Sequence, residues 1–153
     1  MKLWRLCRAG HVALDGAGAQ QFGGRYTPAG WPVVNFASEA ALAVLIALRY
    51  QPRDVSGITE DFVLGWTETD AQPVRFPPGA DDAEIRRAAG QWLEAGEALL
   101  AAAPSRVLPE GDVVMMNVRH PEAAHIAPLV TRPFDFAQCL HTPPMAGIYG
   151  GQQ

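Results

Sequence analysis

The chain has 153 residues, with 12 Lys and Arg against 16 Asp and Glu, and 48% of its residues are hydrophobic. That is one domain's worth of chain with enough apolar side chains for a core, which argues against disorder. A net charge of -4 argues against a nucleic-acid binder built on bulk positive charge, and no apolar run approaches the ~20 residues that span a bilayer.

Residues 3–7 alternate apolar and polar and predict a short strand. The opening Met1-Lys2-Leu3-Trp4-Arg5 has no apolar stretch before a cleavage site, so no signal peptide is expected. Residues 8–24 are rich in Gly and Ala and predict a loop holding at most a broken helical turn. Residues 32–36 predict a second strand. Ser38 is the expected N-cap of a mostly apolar helix over residues 39–50, buried on most of its circumference and ended by Gln51-Pro52.

Residues 62–67 predict a third strand, and residues 74–76 a short one. Residues 82–103 read as helix, in two pieces broken near Gly90. Two strands, 105–108 and 112–117, are expected about the turn Pro109-Glu110-Gly111. A helical turn at 121–125 and a strand at 129–136 follow. The tail, residues 141–153, holds Pro and Gly and few anchors, and is expected to be loosely held. Strands in runs with two helical regions predict an α+β class, in a single domain over residues 1–153. Cys7 and Cys139 could pair, but are expected as buried, unpaired thiols of a cytoplasmic protein, and no Cys/His spacing suggests a metal site.

Two stretches carry residues suited to chemistry. In Gly23-Gly24-Arg25-Tyr26 the glycines free the backbone to approach a ligand. Arg25 offers a charged fork for phosphate or carboxylate, and Tyr26 and Trp31 offer flat faces. An ordinary Gly-rich turn with a surface arginine accounts equally well for that stretch alone. Ser105 can hydrogen-bond a ligand or simply begin a strand, and His120 can cap the short helix that follows it. No Asp or Glu stands at a spacing that suggests a Ser-His-Asp triad.

Taken in order, these pieces resemble the RES-domain family. The matching set is Trp4-Arg5 in a strand, Gly24-Arg25-Tyr26, Gly30-Trp31-Pro32-Val33-Val34, an Ala/Leu-rich helix, Pro104-Ser105-Arg106-Val107-Leu108-Pro109, and Asn117-Val118-Arg119-His120-Pro121. No single piece is specific, but the ordered set is. The resemblance implies a compact fold like that of ADP-ribosyltransferases, a mixed β core flanked by helices. It implies a bacterial toxin that takes NAD as substrate and breaks its nicotinamide–ribose bond, without a metal. The outcome is NAD depletion or transfer of ADP-ribose to a protein acceptor. It implies an Xre-like antitoxin as partner, to which any DNA contact belongs. Arg25 and Ser105 match the family's active-site Arg and Ser, and Arg5 and Tyr26 match cleft-lining positions that contact NAD.

Two positions depart from the family. Asn35 stands where a Tyr is expected, and Ile46 where the helix usually carries a Glu. Ile46 can neither accept a hydrogen bond nor stabilise a cation. Three explanations stand side by side: a naturally weakened relative, introduced inactivating changes, or replacement of the carboxylate by Glu39. Glu39 lies seven residues earlier, about 10 Å along a helix. The expected activity is therefore an NAD-cleaving toxin weakened at these positions. The alternative is a catalytically silent RES-fold protein engaged by its antitoxin, and an unrelated α+β domain is the third reading.

Overall fold

The computed structural model describes residues 1–140. The tail expected to be loose, residues 141–153, lies outside the described residues. Seven strands form one sheet: β1 (Lys2–Arg8), β2 (Val33–Ala37), β3 (Phe62–Glu68), β4 (Val74–Arg75), β5 (Leu100–Pro104), β6 (Asp112–Asn117) and β7 (Val130–Phe134). Their order is β4-β5-β6-β2-β1-β3-β7. Every neighbouring pair is antiparallel except β4 with β5. Three helices accompany the sheet: α1 (Ala17–Phe22), α2 (Ala40–Leu48) and α3 (Asp82–Ala95). The α+β class and the mixed β core flanked by helices hold. No helix among the described residues is long and apolar enough to cross a membrane.

The sheet is two half-sheets joined at a narrow waist. β1 pairs with β3 along seven residues, and β2 pairs with β6 along five. Between β1 and β2 only Trp4 and Ala37 face each other in register. Beyond that pair, the inner edges of both strands lack ladder partners, and backbone donors and acceptors border an opening.

The core follows the strand period of two. Ala101, Ala103 and Met115 face α3, where Ile85, Ala89, Trp92 and Leu93 cover them. Leu100, Ala102, Val114 and Met116 face the opposite side with Leu3, Val34 and Phe36. α3 starts cleanly because Asp81 and Glu84 form a capping box at 2.8 Å in each direction. It ends at Gly96, which takes a left-handed conformation at φ 63°.

Several expectations are corrected. The helix expected over 82–103 is unbroken at Gly90 and stops at Ala95. Residues 100–104 are β5, buried on both faces among other strands. The strand expected at 105–108 is instead a turn, closed by the Ser105 N–H donating to the Gly111 carbonyl at 2.8 Å. Ser38 does not cap α2. Its hydroxyl accepts from the Asp112 N–H at 2.9 Å, and Glu39 occupies the N-cap without a side-chain bond. α2 is also less buried than expected, with only Leu42 and Ala43 fully inside. Cys7 and Cys139 are unpaired, but Cys139 is exposed and Cys7 only half-buried.

Candidate functional site

The opening between β1 and β2 holds a cavity of about 290 Å³. One wall is β1, with Trp4, Arg5 and Leu6; another is β2, with Asn35, Phe36 and Ala37. α2 contributes Ala43, Ile46, Arg49 and Tyr50, and the β5–β6 turn contributes Ser105 and Arg106. Arg25 and Tyr26 reach it from the loop before β2. The six residues matched to the family's site in the sequence, Arg5, Arg25, Tyr26, Asn35, Ile46 and Ser105, therefore line one cavity. A second cavity of about 520 Å³ lies beneath α1 and shares Arg5 and Asn35 with the first.

Local sequence explains how Arg25 gets there. Gly16 (φ 66°) lets α1 press on the start of β2, where any Cβ would lie 2.5 Å from the Val33 nitrogen. The loop then turns at Gly23 (φ 75°), and the Gly24 N–H donates to the Thr27 carbonyl at 2.9 Å. Arg86 of α3 donates to the Arg25 carbonyl at 2.8 Å and fixes the backbone beneath the side chain.

Asp82, the first residue of α3, holds two arginines at the cavity wall. Its Oδ2 accepts from Arg25 Nε at 3.2 Å and Nη2 at 3.1 Å. Its Oδ1 accepts from Arg106 Nε at 2.9 Å, and Arg106 Nη2 also donates to the Ala80 carbonyl at 3.1 Å. The Arg106 hydrogen bond lowers the Asp82 carboxyl below its usual range; partial desolvation opposes that, and Arg25 adds to it. The result is an Arg–Asp–Arg bridge that fixes both guanidinium groups at the wall through their Nε and Nη2 atoms.

Tyr26 is 4% exposed, packed in the core beneath α3, with the Arg25 guanidinium 5.7 Å from its ring centroid. It supports Arg25 more than it offers a free face. Tyr50, by contrast, is 75% exposed at the end of α2. Trp31 is not in the cavity; Arg119 stacks on it at 4.6 Å. Ser105 is 3% exposed, and its hydroxyl accepts from the Val107 N–H at 3.3 Å. His120 caps the turn after it, with Nδ1 accepting from the Glu122 N–H at 3.2 Å. Burial raises the Cys7 thiol against the opposing pull of Arg5, which favours the protonated form.

The lining carries four arginines, Arg5, Arg25, Arg49 and Arg106, and no Asp or Glu. Glu39 is exposed at the N-cap of α2 and does not line the cavity. Arg49, Tyr50, Arg106 and Asp82 were not singled out in the sequence. A signal existed for three of them: Arg49-Tyr50 repeats the dipeptide Arg25-Tyr26, and Arg106 directly follows Ser105. Chemically, the arrangement can bind an anion through the guanidinium N–H groups that Asp82 and the Ala80 carbonyl leave free. It offers no carboxylate to a developing cation.

Comparison with known proteins bears on the family and the fold. The family described as RES domain matches residues 2–137. The chain is 32% identical over 130 residues to a Pseudomonas putida protein named Toxin Res, across 80% of this chain and 88% of the relative. It is 32% identical over 128 residues to the Prs ADP-ribosylating toxin of a Sphingobium species, across 74% and 77%. Its fold is similar to a chain in the crystal structure of the M. tuberculosis MbcT–MbcA toxin–antitoxin complex. The TM-score there is 0.69, at 16% identity, over 90% of this chain and 85% of that one. With the family matched along nearly all of its described length, the chain belongs to the RES domain family.

Proposed function

We propose that the chain is a cytoplasmic toxin of a toxin–antitoxin pair that binds NAD in the opening between β1 and β2. It cleaves the nicotinamide–ribose bond weakly, depleting NAD or passing ADP-ribose to a protein acceptor. The observation that carries this reading is the convergence of Arg5, Arg25, Tyr26, Asn35, Ile46 and Ser105 on one cavity. The relatives named as toxins and the fold's likeness to a chain of a toxin–antitoxin complex support an antitoxin partner; we take it to be Xre-like and to cover the opening.

In the reaction, the bond from the ribose to the nicotinamide nitrogen breaks and its electron pair leaves with the ring. The ring becomes neutral and the ribose carbon cationic, as in glycoside hydrolysis; water, or a nucleophile of the acceptor protein, then bonds to that carbon and gives up its proton to solvent. Arg25 and Arg106 hold the diphosphate by charge-assisted hydrogen bonds, and Ser105 contacts a hydroxyl or amide. Ile46 supplies no negative charge to the ribose cation. Losing one such electrostatic contact lowers the rate about 100- to 1000-fold.

The carboxylate-free lining favours a second reading, a RES-fold protein without turnover that retains antitoxin binding. Nicotinamide release from NAD distinguishes the two. The chain as it stands is expected to show trace release, abolished by Arg25→Ala and raised about 100- to 1000-fold by Ile46→Glu. Release at the full rate of an active relative would overturn the weakened site. Silence from both Ile46→Glu and Ile46→Glu with Asn35→Tyr would favour the second reading.

A further inference from the structure

The charge of the cavity bears on which nucleotide it holds. Four guanidinium groups line it and no carboxylate does. Arg25 and Arg106 share the single charge of Asp82, behind the wall. Arg5 and Arg49 make no ion pair among the described residues. The C-terminal end of α2, which could offer partial negative charge, is already engaged. Its carbonyls at Ile46, Ala47 and Leu48 accept from the N–H groups of Arg49, Tyr50 and Gln51. The neighbouring cavity has one carboxylate, Asp15, and it accepts from the Ala17 N–H at 3.0 Å.

Such a cavity treats the two ends of NAD differently. The diphosphate is attracted. The oxidised nicotinamide ring carries a positive charge, and in a cavity lined by Arg5, Arg25, Arg49 and Arg106 and by no carboxylate it meets net repulsion. The reduced ring of NADH is neutral, and ADP-ribose has no ring. All three ligands share the same diphosphate and adenosine, so the ring charge alone separates NAD from NADH.

We propose that this chain is a receptor for ADP-ribose and NADH in preference to NAD, retaining the diphosphate site of an NAD-cleaving fold while discriminating against the oxidised substrate. This rests on the reading that the cavity takes an ADP-ribose-containing nucleotide. The selectivity follows from replacing one negative charge by Ile46 in a wall that keeps its arginines. Weak hold on the oxidised substrate accords with the slow NAD cleavage proposed above.

Calorimetric titration of the full chain with ADP-ribose, NADH and NAD tests it. ADP-ribose and NADH are expected to bind about tenfold or more tightly than NAD, since one unit charge near others is worth that much at a half-exposed site. Ile46→Glu is expected to narrow the NADH-to-NAD ratio and to weaken ADP-ribose. A second measurement needs no variant: at about 1 M salt, where screening acts over about 3 Å, the ratio shrinks in the unaltered chain. NAD binding as tightly as NADH would overturn the selectivity and leave the nucleotide site standing. A preference unmoved by both salt and Ile46→Glu would overturn its electrostatic cause. Failure of all three ligands to bind at millimolar concentration would overturn the nucleotide reading itself.

Discussion

Asp82 shows how one side chain organises the site without lining it. It accepts from Arg25 and Arg106, 57 and 24 residues away in sequence, and holds both forks toward the cavity. Asp82→Asn keeps the shape but removes the charge, so both guanidinium groups lose their anchor. Affinity for ADP-ribose is expected to fall roughly tenfold, comparable to losing one charge-assisted hydrogen bond. Thermal stability is expected to change little, because the group is accessible to solvent. The pH dependence has a definite sign. The folded-state carboxyl lies below its ordinary value of 3.8, so the unfolded chain binds more protons between the two values. The contribution of Asp82 is fully present above 3.8 and is lost as the pH falls through the lowered folded value. Nucleotide affinity, followed by titration from neutral to acid pH, should lose its Asp82 contribution only below about 4, and Asp82→Asn should lack that limb. Arg25 and Ser105 were legible because they stand in an ordered motif. Asp82 was not, since a helix-starting Asp is ordinary in any sequence and its partners are brought near only by the fold.

Elements carry the next layer. Gly16 is required by both of its constraints, a left-handed φ of 66° and a backbone nitrogen 2.5 Å from where a Cβ would sit. Gly16→Ala is expected to destabilise the protein by more than about 2 kcal/mol and to lift α1 from β2, measured by urea unfolding. The same glycine had read simply as part of a Gly/Ala-rich loop, which is why α1 was expected as no more than a broken turn. β5 was misread for the opposite reason. Leu100-Ala101-Ala102-Ala103 is rich in helix-favouring alanine and shows no alternation. Both of its faces are covered, so the period that would have marked a strand is absent. The strands with one polar or mixed face, β1 and β3, were legible to within a residue or so at each end.

At the scale of the molecule, the narrow waist of the sheet creates the site. Leu3 is 0% exposed and belongs to the same apolar cluster as Val34 and Phe36, so it ties β1 to β2 where their ladder ends. Leu3→Ala is expected to cost about 2–5 kcal/mol in urea unfolding. It should also weaken ADP-ribose binding, because the walls of the opening lose their shared support. Leu100→Ala lies wholly within the other half-sheet and is equally buried. It should cost a similar amount and leave nucleotide affinity unchanged in the folded fraction. A matched loss of affinity in both variants would show that the waist has no special role.

The sequence by itself determined the α+β class, most of the strands and the RES motif in its order. It also led us to expect departures from the family pattern at Asn35 and Ile46. These rest on local periodicity and on residue types at fixed spacing, both of which survive without coordinates. The tertiary structure alone decided that β1 and β2 meet at one pair, that four arginines crowd one carboxylate-free cavity, and that Asp82 braces two of them. Those outcomes depend on contacts between residues far apart in the chain. Such contacts follow from how sheet halves and helices pack, and a local pattern in the sequence marks candidate residues without fixing which of them meet.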